Sequence, residues 1–162
     1  MHDTGVSRSV EHRHLFEDFE YHNTGEHCRK GYDLLQACTS FACYAEPVLY
    51  HHTPWPLLEQ LDLTDQTMMM ANLIHLADRL DVVRMQHHGN CVLTRKSEIL
   101  AEMRDDTARH FAPRLLDTLL DLAQTEAFWF AMEDEQYLDE SLDLLPRAVH
   151  GKANWNDIAK LV

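Results

Sequence analysis

Twelve histidines in a chain of 162 residues are the first chemical signal. Neutral imidazole is the commonest side-chain ligand for metal ions. Candidate donors include His2-Asp3, His27, His51-His52 and Asp78. Mixed imidazole and carboxylate donors suit Fe or Mn, among other ions. Two such ions held close together can activate a water and neutralise phosphoryl charge, with a bridging hydroxide as nucleophile, which is what cleavage of a phosphodiester requires. Each of these places also has a plain structural reading. An adjacent His-Asp pair alone is weak evidence and fits a solvated N-terminal turn. Composition by itself does not separate ligands from surface histidines.

The elements that must position these residues are helical. Only 5 Gly and 5 Pro are present, strand-like alternation is absent, and apolar residues recur at helical spacing. The pattern predicts a helix from about Glu26 to Cys38, with Tyr32, Leu34, Leu35 and Cys38 on its buried side. A second is expected from about Phe41 to His51. Trp55, between Pro54 and Pro56, marks a loop. The clearest helix starts near Thr64 or Asp65, both good N-caps, and ends near His88 before Gly89. Its apolar positions Met69, Leu73, Leu76, Leu80 and Val83 follow 3–4 spacing. The run Met68-Met69-Met70 reads as adaptable core filler. Further helices are expected from about Ser97 to Asp106 and from Pro113 through Leu122. Phe128-Trp129-Phe130 reads as core or interface, and a last amphipathic piece begins near Asn154.

Bulk composition is that of an ordinary globular chain, 45% hydrophobic and 25% charged. At this length a core can form without disulfides or structural metal. The formal net charge of −13, from 27 acidic and 14 basic side chains, repels nucleic-acid polymers over long range. A phosphate-bearing ligand would need a local positive centre, which metal ions or clustered Arg and Lys could supply. Cys28, Cys38, Cys43 and Cys91 form no C-x-x-C and read as free thiols of a cytoplasmic protein. The first ten residues are polar and lack the apolar centre of a signal peptide. No apolar run approaches the roughly 20 residues needed to span a bilayer.

Taken in order, the segments resemble the HD-GYP branch of the HD phosphohydrolase superfamily. That family carries an H-D-x-G motif, a His before a G-Y-x-L-L helix, a His-His pair and an A-D-x-x-D helix. This chain has His2-Asp3-Thr4-Gly5, then His27 ahead of Gly31-Tyr32-Asp33-Leu34-Leu35, then His51-His52, then Ala77-Asp78-Arg79-Leu80-Asp81. Phe111-Ala112-Pro113-Arg114-Leu115-Leu116 is similar to the family's F-D-P-x-L-V segment. The likeness spans roughly residues 2 to 125. It implies an all-α, HD-domain-like helical bundle and a divalent metal centre of two or more ions, Fe or Mn. It implies that Asp3 bridges two ions, with His2 and Asp78 on one and His27, His51 and His52 serving the other. It also implies hydrolysis of a cyclic dinucleotide, cyclic di-GMP above all, in signal transduction. Arg84, two turns beyond Asp78, could contact substrate phosphate, although a solvated helix arginine is the plainer reading.

The chain departs from the family's pattern at several points. The family's first ligands lie upstream of H-D, on a helix absent here. A truncation, a mis-called start or split gene, or a degenerate protein would account for that, and the continuity of the rest favours truncation. Val6 stands where the family often has Lys, and Thr53-Pro54-Trp55-Pro56-Leu57-Leu58 replaces the Gly-Tyr-Pro loop. These departures keep open a second reading, a catalytically inactive signalling or nucleotide-binding module. A third is an acidic helical bundle whose histidines bind nothing. Residues 1–150 are expected to form the domain without its first helices, and 151–162 a C-terminal helix of the kind that in some relatives leads into a further module. An exposed aromatic cluster around Trp129 would suit a homodimer contact. His12, His14, His87 and His88 read as surface residues, the last two suited to the negative end of a helix. His75, one turn before Asp78 on the same face, could stand behind the ligands. Glu133-Asp134-Glu135 reads as a solvated face.

Overall fold

The computed structural model describes residues 24–87, 91–105 and 109–133. Seven α-helices and one 3-10 turn occur among them, and no strand. The chain is thus all-α, the class expected of an HD-like bundle. The helices are α1 (Thr24–Gln36), α2 (Ala45–Tyr50), α3 (Trp55–Leu58), α4 (Asp65–Gln86), α5 (Val92–Asp105), α6 (Pro113–Leu122) and α7 (Glu126–Glu133), with the 3-10 turn Ala42–Tyr44 leading into α2. They pack as two compact units, one running to Ala77 and the other beginning at Asp78. The expected N-terminal motif, His2-Asp3 with Val6, and the segment 151–162 lie outside the described residues.

In the first unit, one stripe of α1 sets the core. His27, Cys28, Gly31 and Leu35 recur every three to four residues and are all buried, as is Cys38 just beyond the helix. Leu35 packs with Ala45 and Val48 of α2, and Tyr32, Phe41 and Ile74 close over them. Full burial of an aliphatic side chain such as Leu35 stabilises by about 1.5–3 kcal/mol. Tyr32 and Leu34 are half-buried. The expected second helix is divided: the 3-10 turn comes first, and α2 ends at Tyr50, before the His-His pair.

Two expectations fail in this unit. The Pro54–Pro56 segment is a short helix, α3, not a loop, with Pro54 at its N-cap. Proline at the first turn forfeits only an N–H that has no helical partner anyway. In α4, Leu73 is 51% exposed, whereas Asn72 is fully buried and His75 nearly so. The buried stripe runs through Ala71, Asn72, His75 and Leu76. Polar side chains occupy inward positions there, so apolar spacing alone places the face wrongly.

The second unit holds the rest of α4 and α5 to α7. Val92, Ile99 and Met103 bury one side of α5, Leu119 does so for α6, and Trp129 for α7. α5 begins at Val92, five residues before the expected start. Its first amide, Val92 N–H, donates to the Glu133 carboxylate of α7 at 3.0 Å, which satisfies a helix-end donor from outside the helix. His87 meets Glu102 at 2.8 Å, tying the end of α4 to α5. Trp129 is wholly buried within the chain, so it is core, while Phe130 is 44% exposed.

Candidate metal centre

Three segments of the first unit converge on one point. His27 comes from the first turns of α1, on the stripe that also carries Leu35. His51 and His52 follow α2 directly. His51 lies three residues after Val48, so the packing that buries Val48 carries His51 inward as well, to complete burial. His75 projects from the buried stripe of α4.

The imidazoles lie against one another. Ring centroids are 5.4 Å apart for His27 and His51, 5.1 Å for His27 and His52, and 4.1 Å for His51 and His52. His75 stands edge-on to His52 at 5.7 Å. Cys28 is also present: its Sγ is 3.6 Å from His27 Nε2 and 3.6 Å from His51 Nδ1. Each of His27, Cys28, His51 and His52 offers a ligand atom, and those four atoms lie within 4.8 Å of one another.

The donor set fits a transition-metal ion. Imidazole nitrogen and thiolate sulfur are borderline to soft ligands, and tetrahedral sites of this kind suit zinc or iron. One detail suits ligation closely. His51 Nδ1 donates to the Val48 carbonyl at 2.6 Å. A carbonyl can only accept, so Nδ1 carries the proton and the lone pair is on Nε2, which is buried. Ligating histidines are commonly oriented in this way by a backbone carbonyl.

Of the residues expected from sequence, His27, His51 and His52 are brought together. His2 and Asp3 lie outside the described residues. Asp78 is half-buried on α4, one turn after His75. Arg84 donates Nε and Nη2 to Asp81 at 3.0 and 2.7 Å. Sequence reasoning missed Cys28. Its place beside His27 was visible, but a buried cysteine on an apolar stripe is ordinarily a small hydrophobe.

No family model matches this chain, and no solved structure does. Among curated proteins it is similar to a 3'3'-cGAMP-specific phosphodiesterase 1 of Vibrio cholerae serotype O1, 33% identical over 137 residues, which is 82% of this chain. The chain spans about a third (32%) of that protein's length.

Proposed function

We propose that this chain is the metal-binding part of an HD-type phosphodiesterase that hydrolyses a cyclic dinucleotide. The observation that carries this reading is the convergence of His27, His51 and His52, from separate segments, with ligand atoms inside 4.8 Å. The Vibrio relative's name supports the coarser statement, a phosphodiesterase acting on a cyclic dinucleotide. The HD-GYP resemblance supports the finer one. By that resemblance His27, His51 and His52 would serve one divalent ion, His2 and Asp78 another, and Asp3 both. The resemblance implies iron or manganese. When bound, the ions would supply an activated water and neutralise the phosphoryl group. The chain's own residues hold and orient that chemistry: Val48 fixes the His51 tautomer, and His75 backs the His52 ring.

The substrate class follows from two directions. The relative's name supports 3'3'-cGAMP, and the family resemblance supports cyclic di-GMP. With a net charge of −13, the chain needs the ions themselves to attract a dianionic ligand. Arg84, already oriented by Asp81, is a further phosphate contact in this reading. A cytoplasmic place of action in signal transduction belongs to the same proposal. Among the described residues no helix is long and apolar enough to cross a membrane.

The test is turnover by the chain loaded with Fe or Mn, offered both cyclic dinucleotides and followed by chromatography of the linear products. Activity that disappears in Asp3→Ala supports the proposal. Tight binding of either nucleotide with no cleavage favours a second reading, a catalytically inactive nucleotide-binding module. That reading has its own support, because α3 stands where the family has its Gly-Tyr-Pro loop. Neither binding nor turnover would leave only an acidic helical fold.

A further inference from the structure

We infer that Cys28 is a thiolate ligand of this centre and biases it toward zinc or iron(II) and against manganese. This rests on the metal-centre reading above and goes beyond it, since the resemblance assigns no role to the residue after His27.

Cys28 is 3% exposed and lies on the buried stripe of α1. Farther along the stripe the neighbours are Leu35, Ala45 and Val48. At its N-terminal end the thiol instead meets nitrogen, His27 Nε2 and His51 Nδ1, each at 3.6 Å. Metal–nitrogen bonds of about 2.0–2.1 Å and a metal–sulfur bond of about 2.3 Å, at the tetrahedral angle, put N and S about 3.6 Å apart. The Sγ to His27 Nε2 separation has that length. His51 would offer an ion Nε2, because Nδ1 is committed to Val48, and the Cys28 sulfur, 3.6 Å from Nδ1, must turn away from that nitrogen for one ion to take both. His52, whose Nε2 is also buried, supplies a further donor, and the ion would keep room for Asp3 and water.

Ion uptake breaks the S–H bond: the proton leaves to solvent, and the sulfur lone pair goes to the metal. One anionic ligand then offsets half of a divalent charge. Thiolate is the softest donor available here, whereas manganese prefers carboxylate, carbonyl and water. Manganese also stands lowest in the affinity order of divalent first-row ions. A plainer role competes with this one, in which a neutral thiol donates a weak hydrogen bond to His27.

Cobalt(II) separates the two. The whole chain is titrated with cobalt and its spectrum recorded. A thiolate ligand gives an intense sulfur-to-cobalt charge-transfer band in the near ultraviolet, above the weak visible bands that imidazole ligands alone produce. We expect that band in the unmodified chain, so the main readout needs no variant. Cys28→Ser should lose it and keep the visible bands. Cys38→Ser, about three turns farther along the chain, should keep both. In competition, the preference for zinc over manganese, read by elemental analysis, should fall at least tenfold in Cys28→Ser. Cobalt bound with visible bands only, or an unchanged preference in Cys28→Ser, overturns the thiolate ligand and leaves the histidine centre standing. A chain that binds no cobalt overturns both.

Discussion

His51 donates its Nδ1 proton to the carbonyl of Val48, three residues earlier, across 2.6 Å. Val48 belongs to the apolar core of the first unit, so the core sets the tautomer of a candidate ligand directly. Removing the imidazole leaves that carbonyl unmet as well as removing a candidate ligand, so unfolding is followed alongside affinity. In His51→Ala we expect affinity for zinc or cobalt to fall at least tenfold, the lower end of what is lost even when only a ligand's supporting partner is removed. Chelator competition would measure it. An affinity equal to that of the unmodified chain would remove His51 from the centre.

His75 poses a different question, because it faces His52 edge-on at 5.7 Å and lies one turn before Asp78. If its ring positions His52 by contact, a phenyl ring can stand in for it. His75→Phe should then hold the ion nearly as well as the unmodified chain, while His75→Ala should weaken binding about tenfold. Equal loss in both variants would show that His75 acts through its nitrogens. No loss in either would show that it does not support the centre.

Much of this was legible from sequence, and what was not has physical causes. Element existence followed from helical spacing and from Pro113 as punctuation. His27, His51 and His52 stand out in the sequence through the family resemblance that their order carries. Leu73 was placed on the buried face because it is apolar. The buried face of α4 instead carries Asn72 and His75, and hydropathy does not credit polar residues that are buried beside other polar groups. The start of α5 was missed because the partner of its first amide, Glu133, lies 41 residues away. Cys28 was missed because a soft ligand and a small apolar filler share one side chain.

The beginning of α4 was narrowed to Thr64 or Asp65, and the structure assigns the cap to Thr64. Its Oγ1 accepts from the Thr67 amide at 3.2 Å, which satisfies one of the first-turn donors. Asp65 is then the first helical residue, where its charge favours the positive end of the helix. Thr64→Ala should cost about 1 kcal/mol of stability. Thr64→Ser should cost much less, since its hydroxyl still caps. Urea midpoints for both variants would check this, and equal midpoints would move the cap elsewhere.

Trp129 tests whether the aromatic segment serves the chain itself or a partner. Its side chain is fully buried, its indole Nε1–H donates to the Ala123 carbonyl at 3.0 Å, and Phe128 meets it edge-on at 5.3 Å. Those contacts link α7 to the end of α6 within one chain. Trp129→Ala should cost about 3–5 kcal/mol, as removal of a large core aromatic does. Trp129→Phe keeps most of the apolar surface and loses the hydrogen bond, so part of its loss, about 1 kcal/mol, comes from the unmet Ala123 carbonyl. Thermal and urea unfolding of the two variants would separate packing from hydrogen bonding. A core residue changes the unfolding midpoint independently of protein concentration. A midpoint that rises with concentration in the unmodified chain, and loses that dependence in Trp129→Phe, would instead place this tryptophan at a contact between copies.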